Sequence, residues 1–388
     1  MPTTSSTVFS PVGVLPLLAV LADAAAGPAR DELAGALGVP VSQARALGLA
    51  LLKSLPAMDG ITAALGVWLH PTITPAEGWT SGLPSGTVNK FSGIVNRDQR
   101  AINAWAKEHT RGMIPRFPLQ LPKDALVVLA SAVSLSLLWA EPFDDEDDFD
   151  PDASDNEPLW RRTHDARIIR AMKDVTAVTV KGKADVDLVL VLGHEDRSPR
   201  DVLSAGLEAI TGGEEGIANT TAAAVEAGNI GAPGLTVKTY TVHNKKQPPP
   251  DVDLTVPPFR VSAEHNLLDH RALFGLDTAS RPDIESVQDL LENRHFPGIT
   301  SSKPLYLGQA GQEAVAEFTA KGFTAAAITY ASAPKRAAPR MESATKEVAR
   351  LSVEFNRQFG FSAVEKRSKM VLFTDWVTEE YFRCKFNK

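Results

Sequence analysis

The sequence predicts an α+β fold, and three observations predict it. Apolar residues recur at helical spacing in some segments and at strand spacing in others, without the strict strand–helix alternation of a doubly wound sheet. Hydrophobic residues make up 44% of the 388 and charged residues 22%, enough for a large core and unlike a disordered chain. No internal repeat and no linker-like stretch divides the chain, so residues 1–388 read as a single domain.

From the start, Met1–Thr7 is polar, and Phe9-Ser10-Pro11 breaks the chain. Val14, Leu17, Leu18, Leu21 and Ala25 then fall at helical spacing, which predicts a buried helix. A signal peptide is the competing reading and is rejected, because no basic region precedes the stretch and Pro16 and Asp23 interrupt it. No window reaches the ~18–20 uninterrupted apolar residues that a membrane span needs. Pro28–Leu37 predicts a second helix stopped by Gly38, and Thr62–Leu69, between Gly60 and Pro71, a strand. Ala101–Arg111 puts Ile102, Trp105 and His109 on one helical face and ends at Gly112. Ala125–Leu138 is almost continuously apolar and predicts a central strand buried on both faces.

The acidic run Glu141–Asp155 lacks the glycine and the closing glutamate of a calcium loop and reads as a solvated loop. Two strands are expected within Thr176–Leu192, a short helix over Ser198–Ile210, and a Gly/Ala-rich connection over Thr211–Gly234. Asp251–Val261 reads as a strand bulged at Pro257-Pro258. Gln312–Thr319, Val348–Phe355, Phe359–Glu365 and Met370–Val377 are the remaining strands.

Composition narrows the function classes. A net charge of −7 argues against a general nucleic-acid binder. Phosphate-binding, nucleophile-elbow and zinc-protease motifs are all missing, so no catalytic residue is assigned. Among eight histidines only His265 and His270 lie close, with no neighbouring cysteine, and neither a metal nor a cofactor is expected. The single Cys384 allows no intramolecular disulfide and reads as a tail thiol without a role.

Seven segments, in order, resemble the serpin family. VFSPVGVLPLLAVLADAAAGPARDELAGALGV is similar to the strand and helix that begin with Phe-Ser-Pro. AINAWAKEHTRGMIPRF and LVVLASAVSLSLLWAEPFD resemble a family helix and the long central-sheet strand ending in a Trp, here Trp139. VPPFRVSAEHNLLDHRALFGL, HFPGIT, QEAVAEFTAKGFTAAAITYASAP and FNRQFGFSAVEKRSKMVLFTDWV follow the family's later units. The resemblance implies three β-sheets, several helices and an exposed reactive-centre loop, here about residues 322–347, in a monomeric protein that is no enzyme. Its partner would be a serine protease. The protease cuts the loop, and the freed segment inserts into the central sheet before the acyl-enzyme is hydrolysed.

In that frame Gly322, Phe323, Thr324, Ala325, Ala326 and Ala327 form the hinge. Insertion needs small residues there, because each must enter a close-packed sheet. Strand alternation sends Phe323, Ala325, Ala327, Thr329, Ala331 and Ala333 inward. The family's spacing from the hinge glycine puts the cleaved bond at Arg336-Ala337, with Lys335 and Arg340 as competitors, and Arg336 suits a trypsin-like enzyme. At ~3.3 Å per residue the segment spans ~46–50 Å, long enough to cross a sheet.

Two departures stand out. Phe323 replaces the usual small hydroxyl residue, and the polar cluster beneath the central sheet, Ser10, Gly13, Ser131 and Gln312, is altered at Gly13, Ser131 and Gln312. They suggest a divergent bacterial-type branch, and they leave open a non-inhibitory serpin acting as a binding or structural protein.

Overall fold

The computed structural model describes residues 6–117, 120–121, 126–144, 157–212, 216–244, 246–280, 295–300, 305–307, 309–323 and 345–378. In chain order these form β1 (Thr7–Phe9), α1 (Pro11–Ala24), α2 (Gly27–Leu37), α3 (Val41–Ser54), β2 (Ile61–Leu69), α4 (Glu77–Thr80), β3 (Val88–Lys90), α5 (Val95–His109), β4 (Val127–Leu135) and β5 (Leu137–Leu138). Next come β6 (Leu159–Thr163), β7 (Ile169–Ala171), β8 (Val175–Val180), β9 (Val186–Gly193), α6 (Pro199–Thr211), α7 (Thr221–Asn229) and β10 (Leu235–His243). The last are β11 (Asp251–Val256), β12 (Phe259–Asn266), α8 (Arg271–Phe274), β13 (Gly311–Phe318), β14 (Gly322–Phe323), β15 (Thr345–Glu354), β16 (Phe359–Glu365) and β17 (Val371–Val377). The chain divides into two compact units, the first made of residues 1–8, 136–261 and 316–388, the second of 9–135 and 262–315.

The first unit holds a six-stranded sheet in the order β1-β17-β16-β9-β8-β7 and a four-stranded sheet in the order β10-β15-β11-β6. Every residue of β16 is buried, which is why Phe359–Glu365 carries no polar/apolar alternation. Helix α6 starts at Ser198, whose side chain accepts from the Asp201 amide. It lies close on β9, since a Cβ on Gly206 would come 2.7 Å from Val191.

The second unit packs α1, α2 and α3 against the sheet β3-β2-β4. Helix α1 is buried over nearly its whole length, as the spacing of Val14, Leu17, Leu18 and Leu21 predicts. It crosses α3 closely at Gly48, where a Cβ would lie 2.8 Å from Ala19. Strand β4 is buried on both faces, with Leu129 in the cluster around α1, and Val128 and Ala130 in that beneath α5. Helix α5 begins ahead of the predicted Ala101, because Asp98 accepts from the amides of Ser92 and Gly93 and organises its first turn.

Several elements depart from expectation. Part of the Gly/Ala-rich connection is helix α7, for which Thr220 caps the Ala223 amide and the run of alanines supplies propensity. Strand β10 went unread, although Leu235–His243 alternates β-branched and polar residues. It pairs with β15 at every one of its 9 residues. The predicted Asp251–Val261 strand is two, β11 and β12, since Pro257 and Pro258 lack the amides to continue a ladder. Most of the acidic run lies outside the described residues.

Candidate functional site

The chain turns tightly at the end of β13. After Phe318 the chain turns through Thr319, Ala320, Lys321 and Gly322, and Phe323 pairs back with Phe318. The Thr319 amide donates to the Gly322 carbonyl at 2.9 Å, and the Gly322 amide donates to Thr319 Oγ1 at 3.3 Å. Three carbonyls of this turn are anchored by a neighbouring segment. Trp139 Nε1 donates to the Thr319 carbonyl at 2.9 Å, the Phe143 amide to Ala320 at 2.8 Å, and the Trp139 amide to Lys321 at 3.1 Å. The indole is fully buried and lies 5.1 Å from the Phe318 ring.

The two residues of β14 already occupy a place in the sheet, between β13 and β5. Gly322 pairs with Leu138 and Phe323 with Leu137. Only glycine passes so close, because a Cβ on Gly322 would fall 2.3 Å from the Leu137 carbonyl oxygen. Phe323 is 2% exposed, and its ring lies 6.0 Å from that of Phe361. Phe361 in turn joins Phe259, which stacks on Phe318 at 5.4 Å. The bulky residue at this position therefore has its own aromatic seat. Nearby, burial pushes the Glu317 carboxyl up against the opposing pull of Arg260, 3.8 Å away, and burial lowers the Arg161 guanidinium, which sits over Phe143 at 4.6 Å.

Of the expected hinge, Gly322 and Phe323 lie in β14, whereas Thr324, Ala325, Ala326 and Ala327, the expected cleaved bond at Arg336-Ala337, and Cys384 lie outside the described residues. In the second unit, Ser10, Gly13 and Gln312 come together. Gln312 Oε1 accepts from the Ser10 amide at 2.8 Å, and its Nε2 donates to the Ser10 carbonyl at 2.9 Å. Gly13 makes room for that amide, since a Cβ there would meet Nε2 at 2.7 Å. Ser131 is half-buried on β4, and the β4 side chain nearest Gly13 is that of Val133, at 3.4 Å from the same Cβ position. No sequence signal pointed to Phe143 or to the Phe259–Phe318–Phe361 stack. Isolated phenylalanines in strands read as core, and only the fold collects them. Among the described residues no group of three His, Cys, Asp or Glu side chains could hold a metal ion, and no single helix is long and apolar enough to cross a membrane.

Residues 2–184 match the family model described as Serpin (serine protease inhibitor). The chain is 26% identical over 350 residues to putative serpin-Z8 of Oryza sativa subsp. japonica, covering 83% of this chain and 80% of that protein. A serine protease inhibitor of Cyanea capillata is also 26% identical, over 345 residues, covering 83% and 81%. The native-state structure of the thermophilic serpin tengpin superposes with a TM-score of 0.68 at 15% identity, over 97% of this chain and 89% of that one. In sequence the chain is similar to serpins. Its fold is the serpin fold, and serpins are generally inhibitors of serine proteases rather than catalysts. The relatives from Oryza sativa and Cyanea capillata give no support to a bacterial-type branch.

Proposed function

We propose that this chain is a serpin that inhibits a trypsin-like serine protease as a suicide substrate, cleaved at Arg336-Ala337, with residues 1–388 acting as one serpin domain. The observation that carries this reading is β14. Gly322 and Phe323 already form the first rung of a strand beside β13, so the segment beyond them has a template on which to continue. Once cut, the freed segment gains backbone hydrogen bonds that an exposed loop leaves to water. Ala325, Ala326 and Ala327 are the small residues that such insertion requires, and Arg336 supplies the cation that a carboxylate-based specificity pocket takes. The acyl-enzyme is trapped because the segment moves before water attacks it.

Incubation with trypsin followed by denaturing electrophoresis tests the reading. A complex that survives denaturation, absent in Arg336→Ala, is the expected result. Clean cleavage with no complex would replace it with the non-inhibitory binding role.

A further inference from the structure

Within the first unit, α6, α7 and β7 flank a half-open cleft of about 450 Å³ that the loop mechanism does not use. Its walls include Ala171, Met172, Ala209, Ala227 and Ile230, with the exposed carboxylates of Glu208 and Glu226 among the lining groups. A narrower cavity of about 110 Å³ shares Arg170, Ala209 and Gly216 with the first, and adds Arg167, Thr179, Lys366 and Lys369. The shape depends on Gly216. A Cβ there would lie 2.1 Å from the Arg167 carbonyl oxygen, so only glycine lets the segment ahead of α7 run against β7, where the Ile217 amide donates to Ile169 at 2.9 Å.

Arg170 lines both chambers, and its Nη1 is buried without a hydrogen-bond partner among the described residues. A buried donor left unpaired is destabilising, and in native proteins such a group calls for an explanation. The one carboxylate of the narrow chamber, Asp187, is already engaged. It accepts from the Gly182 amide at 3.0 Å and faces Lys366 Nζ at 3.4 Å. Arg167 is held by Asp165 at 2.7 Å, on the other hand, and so brings its own counter-ion. The narrow chamber gathers the cationic side chains of Arg167, Arg170, Lys366 and Lys369, and the wide chamber beside it mixes apolar side chains with the Glu208 and Glu226 carboxylates.

We propose that the two chambers bind a small organic anion, whose carboxylate or sulfonate head accepts from Arg170 while an apolar body of one or two rings fills the wide chamber. A guanidinium suits this role because its donors match a planar or tetrahedral anion and it stays charged at any physiological pH. A pocket of this size with one convergent charged group is an ordinary design for small-molecule sites. The site is independent of the loop, so its occupation and protease inhibition are separately measurable.

Calorimetric titration of the full chain with 1-naphthalenesulfonate tests the proposal, with neutral 1-naphthalenesulfonamide as control. The sulfonate should bind at one site, at least tenfold more tightly than the sulfonamide. Arg170→Met should weaken the sulfonate at least tenfold and leave the sulfonamide unchanged. Ala223→Trp, a change on the half-exposed start of α7, should fill the wide chamber and abolish binding of both while the thermal midpoint holds. Absence of sulfonate binding to the unaltered protein would overturn the proposal, as would equal loss of both compounds in Arg170→Met. Should Arg170→Met fail to fold, undiminished binding to Ala223→Trp would by itself overturn it.

Discussion

Burial of the Phe323 ring, 2% exposed and 6.0 Å from Phe361, ties β14 into an aromatic core. A serine there would leave that seat empty, and Phe323→Ala does the same. Truncating a buried phenylalanine costs roughly 3–5 kcal/mol, so Phe323→Ala should lower the thermal midpoint by several degrees and speed cleavage of the hinge by a non-specific protease. Unchanged midpoint and cleavage rate would mean that the ring contributes nothing to holding β14. A second residue-scale effect concerns Glu313 on β13, whose carboxyl is pushed up to about 7 by burial and then by the neighbouring Glu264. Because the folded-state value is raised, the native state binds the extra proton. Its contribution to stability is fully present below the ordinary glutamate range and is lost as pH rises through about 7. Glu313 is only half-buried, so solvent screening tempers the size of the effect. Glu313→Gln should melt above the unaltered protein at pH 8, with the advantage vanishing near pH 4. Parallel melting curves across that range would remove Glu313 as the cause.

At the scale of the element, β14 is the unit that matters, and it depends on Gly322. Its missing Cβ admits the backbone to within touching distance of Leu137. Gly322→Ala should expel β14 from between β13 and β5, exposing the Leu138 amide region to faster hydrogen exchange, whereas preserved protection would show that the sheet can shift to accept a methyl. The strongly patterned elements were legible in advance. Val14, Leu17, Leu18 and Leu21 announced α1, and the unbroken apolar run announced β4. Gly322 was singled out as the hinge, but only through resemblance to a family, since periodicity says nothing about a strand of 2 residues. Helix α7 was hidden because alanines and glycines carry little hydrophobic pattern, and its signal was the cap at Thr220. The anchoring of the turn by Trp139 and Phe143 was not legible in local pattern. Those hydrogen bonds join residues that stand more than a hundred positions apart, the Trp139–Thr319 pair at a separation of 180.

For the whole molecule, the proposed mechanism requires that the intact chain be metastable and that a cut in the loop release it. Ordinary nicking adds chain freedom and leaves stability equal or lower. Insertion instead adds a strand whose inward residues must all tolerate burial. Ala325→Asp would place an unpaired carboxylate in the sheet at a penalty of several kcal/mol, so that variant should be cleaved without forming a complex. The central claim is tested most directly by comparing the thermal unfolding of intact protein with that of protein nicked once between Ala331 and Arg340. Insertion predicts that the nicked form melts at least ~10 °C higher, a rise that needs only several kcal/mol in a chain of this size. Identical midpoints, or a lower one after nicking, would contradict it.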